Sequence, residues 1–238
     1  VTPKLRSASL SHIGKLRSDN QDRCLFDPAR GIFGVADGVG GMPGGGEAAE
    51  TAAETVLALL RTLRPETRPD LRSIVQQTQD AVILMGHSIS PTYGVATTLT
   101  FACVHYSQLL IAHVGDSRGY VRHGKKLLRL TEDHTVENDA RRRGESAPLS
   151  RIERNAITRC IGQMPMPGPD LIERPLLPGE RYLFCTDGIT RVITDAELSM
   201  QLGHAGEPAD ILQNLIALAL KRGAPDNASG VLVFVDEA

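Results

Sequence analysis

VATTLTFACVHYSQLLIAHVGDSRGYVRHGKKLLRL, residues 95–130, packs four apolar runs, VATTLTFACVHY, QLLIAHVGD, RGYVRHG and KLLRL, into one short stretch. Their valine, isoleucine, threonine and aromatic content suits strands, and the connections are too short to hold crossover helices. The stretch therefore predicts a succession of antiparallel strands.

Working outward, RCLFD and GIFGVAD are two more strand-like runs, separated by DPARG, whose Asp-Pro and Gly are hairpin chemistry. The period then changes: Ala49, Ala52, Val56, Leu59, Leu60 and Leu63 fall on one helical face over residues 46–63, and Pro65 stops it. A second helix is expected over residues 69–87. Beyond the central stretch, residues 133–168 are polar, carry six arginines from Arg141 to Arg159 and end in MPMPGP, which reads as a helical excursion on the surface. LIERPLL, ERYLFCTD and SGVLVFVD are further strands, with helices ELSMQLG and PADILQNLIALALKRG between the last two. Blocks of strands broken by paired helices, without strict βαβ alternation, predict an α+β layered fold, a sandwich with helices outside. One domain over residues 1–238 accounts for the length, and 41% hydrophobic residues suffice for a large core.

A net charge of −2 gives no basic field for nucleic acid, and 4% aromatic residues offer little for stacking bases. No apolar run reaches the length of a membrane span, and VTPKLRSASL lacks the apolar segment of a secretory signal, so a soluble cytoplasmic chain is expected. Cys24, Cys103, Cys160 and Cys185 form no CxxC pair, and with three of them in apolar surroundings they read as buried free thiols. His113, alternating with apolar residues, reads as core or sheet surface.

The acids carry the functional signal. Asp37 ends GIFGVA, Asp116 ends LLIAHVG, Asp187 ends RYLFCT, and Asp226 stands just before SGVLVFV. Any one alone is an ordinary turn former. If the strand ends converge, each carboxylate pair about 4 Å apart repels by about 4 kcal/mol at an effective dielectric of about 20. Cations or large pKa shifts must then compensate, and an oxygen-only donor set selects Mg²⁺ or Mn²⁺ over zinc. Asp22 adds a fifth acid, with Arg17 just upstream. A guanidinium beside a carboxylate-bound metal suits a phosphate ester.

The glycine-rich loop after Asp37 is not a nucleotide cradle. It contains no lysine for a P-loop, and its GxGxxA match, GGGEAA from Gly44, begins well past the end of the strand at Ala36.

In order along the chain, GKLRSDNQD, VADGVGG with GGGEAA, VATTLT, AHVGDSRGYV, LTEDHT, NAITRCIG, LPGERYLFCTDGI and PDNASGVLV resemble the metal-dependent protein phosphatases of the phosphatase 2C (PPM) type, in particular the short bacterial serine/threonine enzymes. The resemblance implies an αββα four-layer sandwich, two antiparallel sheets flanked by helix pairs, with a metal cluster at one edge. It implies two core Mn²⁺ or Mg²⁺ ions. Asp37 would bridge them, Asp187 and Asp226 would complete the first site, and the Gly38 carbonyl and Asp22 would serve the second. A third, looser site would be shared by Asp116 and Asp187, Arg17 would bind substrate phosphate, and residues 135–165 would form the flap. The implied reaction is hydrolysis of phosphoserine and phosphothreonine in proteins by a metal-bridging hydroxide. A monomer opposing a bacterial serine/threonine kinase is the expected setting.

Two departures stand out. Asn20-Gln21-Asp22 occurs where many members have Asn-Glu-Asp, and Val39 occupies a position that in eukaryotic relatives often carries a histidine proposed as general acid. Rival readings are a pseudophosphatase that docks partners without catalysis, and a two-metal nuclease. The intact Asp37, Asp187, Asp226 and Arg17 set opposes the first; the charge balance and low aromatic content oppose the second.

Overall fold

A computed structural model of the chain describes residues 4–40, 43–145, 150–165 and 168–236. Its strands are β1 (Leu5–His12), β2 (Asp22–Asp27), β3 (Ile32–Asp37), β4 (Leu99–His105), β5 (Gln108–Val114), β6 (Arg118–His123), β7 (Lys126–Arg129), β8 (Asp170–Pro175), β9 (Arg181–Cys185) and β10 (Ala228–Val235). Its helices are α1 (Gly45–Thr62), α2 (Leu71–Ile89), α3 (Val136–Arg142), α4 (Arg151–Arg154), α5 (Asp187–Thr190), α6 (Asp195–Gln201) and α7 (Pro208–Lys221).

The strands form two five-stranded sheets, in the orders β1-β10-β9-β6-β7 and β2-β3-β4-β5-β8. Every strand pairing is antiparallel, as the short connections predict. Sheet on sheet, with helices outside both, gives the α+β αββα sandwich.

The layering follows from alternation along each strand. In β10 every residue is buried because both faces are covered. Leu232 and Phe234 point to the helical side with Leu212, Leu215 and Ile216 of α7. Val231, Val233 and Val235 point the other way, into the layer between the sheets with Phe33, Tyr182 and Phe184. The second sheet repeats the rule: Ile32, Phe101 and Leu110 meet α1 and α2, while Phe33, Ala102 and Ile111 fill the inter-sheet layer.

The two long amphipathic helices start and stop close to where their periodicity predicts. Asp70 caps α2, its carboxylate accepting from Arg72 and Ser73 N–H. One strand escapes the sequence pattern. β1, LRSASLSH, carries three serines and no long apolar run, yet it pairs with β10 along its whole length at the sheet edge. The polar excursion contains α3 and α4, separated by residues 146–149, which lie outside the described residues, as do residues 166 and 167 of MPMPGP.

Candidate active site

Antiparallel order brings the start of one strand beside the end of the next, and the acids stand at such junctions on one edge of the sandwich. Asp22 opens β2 and Asp37 closes β3, and the two are directly paired in the ladder. Asp116 follows β5 by two residues, Asp187 follows β9 and opens α5, and Asp226 precedes β10. Three acids thus come from one sheet and two from the other.

Each is held by a local device. The Asp37 N–H donates to Thr98 Oγ1 at 3.0 Å, and the Asp37 carbonyl accepts from Thr97 Oγ1 at 2.9 Å. The threonine pair of VATT therefore fixes the residue by its backbone and leaves its carboxylate free. Thr98 also meets Ser117 Oγ at 2.8 Å, tying the turn around Asp116 to the same point. Before Asp116, Gly115 adopts φ 114°, a conformation that disfavours other residues, and its N–H donates to His134 Nδ1 at 3.0 Å. Thr186 Oγ1 donates to Asp22 Oδ2 at 2.9 Å across the two sheets.

Asn227, which sequence reasoning passed over as part of a turn, is the clasp of the region. Its amide donates to the carbonyls of Ile13 and Asp19, at 2.8 and 2.9 Å, and its Oδ1 accepts from Gln21 N–H at 2.9 Å. One side chain so binds three points of the segment carrying Arg17 and Asp22. The Asp-Gly pairs have a steric reason as well. A Cβ on Gly188 would lie 1.8 Å from the Asn227 carbonyl oxygen, and one on Gly38 would lie 2.3 Å from that of Gly45.

Crowded acids away from water resist ionisation. Burial pushes Asp22 up to about 6, against hydrogen bonds that favour its charged form. Burial, with Asp133 adding to it, also pushes Asp116 up to about 6. Asp37 rises well above the ordinary carboxylate range through burial and the charges of Asp22, Asp187, Asp116 and Asp226. Asp187 rises likewise through burial and then Asp116.

Two guanidiniums relieve part of this charge. Arg17 Nη2 donates to Asp226 Oδ2 at 2.8 Å, which raises the pKa of Arg17. Arg191, one turn after Asp187, pairs with Asp187 and also reaches Asp226 Oδ2 at 3.1 Å. Arg191 was not anticipated; in sequence it is one arginine among many. A cavity of about 410 Å³ is lined by Arg17, Asp37, Gly38, Asp187, Arg191 and Asp226, with Asn155, Ile157 and Cys160 of the polar excursion on its wall. A second, of about 390 Å³, shares Asp116, Asp187 and Arg191 with it and extends over Arg118, Asp133 and Arg141.

The donor set suits a hard divalent cation. Asp22 Oδ1, Asp116 Oδ1 and Asp187 Oδ1 are buried without a hydrogen-bond partner, a costly state for carboxylates that accept no cation. Among the described residues no three His, Cys, Asp or Glu side chains already close into a ligand shell. Arg17 pairs with Asp226, and Arg191 pairs with Asp187 and Asp226. The residues fit the ions once those guanidiniums give way.

The cysteines read from the sequence as buried free thiols. All four are free, Cys103 and Cys185 are buried, and Cys24 and Cys160 are half-buried. His113 lies fully inside the protein, bonded through its ring nitrogens to Thr100 and Glu132.

A helix-flanked double sheet thus carries convergent acids and two arginines on one edge. Residues 10–213 match the protein phosphatase 2C family, and the chain belongs to that family. It is 30% identical to the serine/threonine phosphatase stp of Listeria monocytogenes over 236 residues, covering 94% of this chain and 93% of the relative. It is 31% identical to the serine/threonine protein phosphatase PstP of Mycobacterium tuberculosis over 240 residues, 99% of this chain but only 46% of that protein. The crystal structure of the catalytic domain of PstP in complex with two manganese ions superposes with a TM-score of 0.81 at 29% identity, covering 98% of this chain and 99% of that one.

Proposed function

We propose that this chain is a serine/threonine protein phosphatase that hydrolyses phosphoserine and phosphothreonine monoesters with the help of two divalent ions, Mn²⁺ or Mg²⁺. The observation that carries the reading is the convergence of five carboxylates from both sheets, three with buried unpartnered oxygens, on an edge where Arg17 lines the cavity.

In this reading Asp37, Asp187 and Asp226 would hold one ion, and Asp37, Asp22 and the Gly38 carbonyl would hold the other. When bound, the ions would lower the pKa of water and neutralise phosphoryl charge. The remaining work belongs to the chain. Arg17, whose side chain is 41% exposed, exchanges Asp226 for the substrate's phosphate oxygens, which a guanidinium can grip through two nitrogens. The Thr186 hydroxyl orients the Asp22 carboxylate, and the Thr97-Thr98 pair fixes the Asp37 backbone, before substrate arrives. Val39 has no proton to give, so protonation of the leaving alkoxide falls to another group. Cys185 takes no part, its thiol being buried and pushed up to about 12 by that burial.

We read residues 1–238 as one catalytic domain whose segment 135–165 acts as a flap; the contribution of Asn155, Ile157 and Cys160 to the cavity wall supports this. Phosphorylated proteins are the substrates. A kinase-opposing role, monomeric state and cytoplasmic setting complete the reading. Among the described residues no helix is long and apolar enough to cross a membrane.

Asp187→Asn tests the assignment. The variant is expected to fold and to lose Mn²⁺-dependent hydrolysis of p-nitrophenyl phosphate and a phosphothreonine peptide. Near-wild-type turnover with Mn²⁺ would overturn it.

A further inference from the structure

The active-site cavity continues into a chamber of different character. Ala96, Ile157 and Cys160 line both, and beyond them a groove of about 480 Å³ runs between the end of α2, with the turn after it, and residues 157–164. Among the described residues that line this groove none is an aspartate, glutamate, lysine or arginine. Ile83, Pro91, Tyr93, Val95 and Met164 give it apolar surface, and Tyr93 and Met164 are 78% and 73% exposed. No residue lines both this groove and the charged cavity over Arg118 and Asp133, so the centre has a charged flank and an uncharged one. We propose that the groove receives an apolar side chain of the phosphorylated segment, so that the enzyme selects phosphoserine and phosphothreonine sites with a large apolar residue a few positions away. This rests on reading the centre as a protein phosphatase.

The backbone sets the reach. Gly38 bridges to Thr97 and Thr97 to Ile161, both antiparallel, and the Val39 N–H donates to the Ala96 carbonyl at 2.9 Å. With neighbouring strands about 4.8 Å apart, Ile161 stands about 10 Å from Gly38. An extended peptide covers that span in about three residues. The groove is also built in advance of any ligand. Gln79, only 1% exposed, accepts from Gly162 N–H at 2.7 Å and donates to the Gln163 carbonyl, which ties residues 162–163 to α2. A Cβ on Gly86 would lie 2.7 Å from Val95 Cγ2, and one on Gly162 would lie 2.1 Å from the Val95 carbonyl oxygen, so two glycines let the walls close on Val95. A charged side chain entering here would shed water without meeting an opposite charge, whereas an apolar one would cover exposed apolar surface.

The test is peptide selectivity. Wild type, Tyr93→Ser/Met164→Ser and Tyr93→Glu/Met164→Glu, all with Mn²⁺, are assayed on p-nitrophenyl phosphate and on phosphothreonine peptides that carry leucine, serine, glutamate or arginine in turn at each position near the phosphothreonine. Wild type is expected to favour leucine over serine by about fivefold or more in kcat/KM at a position about two to four residues away. The serine pair should lose that preference, and the glutamate pair should favour arginine at the same position. All three should keep wild-type kcat/KM on p-nitrophenyl phosphate, which has no neighbouring residue to place in the groove. Both replaced side chains are largely exposed, and circular dichroism shows whether each variant is folded. Peptide hydrolysis with no leucine preference in wild type, or with a preference unchanged in both folded variants, overturns the inference and leaves the phosphatase reading intact. No hydrolysis of any phosphopeptide by wild type would remove that reading and the inference with it.

Discussion

Asp116→Asn separates the cost of the acidic edge from everything else in the fold. Asp116 is only 7% exposed, one of its oxygens has no partner, and burial pushes its pKa up to about 6. That is about two units above an ordinary aspartate, so carrying the charge at neutral pH costs the ion-free protein about 3 kcal/mol. The sign follows from proton counting. In the unfolded chain the group ionises near its ordinary pKa of about 4, in the native one near 6, so between these values the native state holds more protons. The stability is full below about pH 4 and is lost as pH rises through about 6. Asparagine has the same shape and no charge. In EDTA at pH 7.5 the variant is expected to be more stable than wild type by about 3 kcal/mol, or about 6–12 °C in Tm for a domain of this size. The advantage should shrink as pH falls through 6 and vanish near 4, and the comparison cancels titrations common to both proteins, His113 among them. Urea unfolding followed by circular dichroism from pH 4 to 8 measures it. A variant less stable than wild type at pH 7.5, or a difference that does not change with pH, would refute the reasoning.

Gly188→Ala places a methyl group 1.8 Å from the Asn227 carbonyl oxygen, where the nearest atoms are all backbone of Asn227 and Ala228. A loss of at least about 2 kcal/mol is expected, read as a lowered urea midpoint; an unchanged midpoint would show that this close approach does not exist. Cys185→Ala should keep wild-type kcat, because a buried thiol pushed up to about 12 is no nucleophile; loss of turnover in a folded variant would contradict that. His113 is pushed down to about 4, chiefly by burial and then by His134. Its stabilisation is present above the ordinary histidine pKa and lost as pH falls through about 4. Its ring resonances should therefore stay neutral in an NMR titration at pH 5.5, and a midpoint near 6.5 would contradict its burial.

How much of this was legible depends on what each feature needs. The placing of Asp37, Asp116 and Asp187 needs only the end of an apolar run, and the sequence shows it. Their convergence needs the ladder register that sets Asp22 opposite Asp37, and the stacking of one sheet on the other. No periodicity carries that; the resemblance supplied it. β1 was invisible because its short polar residues, Ser7 and Ser9 half-buried and Ser11 exposed, make an edge strand by pairing with β10, without an apolar run of their own. Arg191 was missed for a different reason. Its role comes from a long side chain turning back to Asp187 and sideways to Asp226, and spacing alone does not tell such an arginine from those of α3. A signal did exist: a cation one turn after the acid of an Asp-Gly strand end is placed to neutralise that acid.

The site also bears on how the sandwich holds together. Asp22, Asp37 and Asp116 belong to one sheet, and Asp187 and Asp226 to the other, so the distances among them are set by the inter-sheet core of Phe33, Ile111, Tyr182, Phe184 and Val231. Without ions, like charges press the two sheets apart at this edge. Thr186 to Asp22, Asn227 to Gln21 and the two guanidiniums on Asp226 oppose that pressure. On the proposed reading, an ion held by Asp37 on one side and by Asp187 and Asp226 on the other would reverse its sign and tie the sheets together. Binding of that kind adds stability by mass action, about 2.7 kcal/mol at a hundredfold excess over Kd. Packing sets the spacing of the carboxylates, and on the proposed reading bound ions would in turn hold the packing shut, so that one edge of the sandwich would serve both catalysis and cohesion.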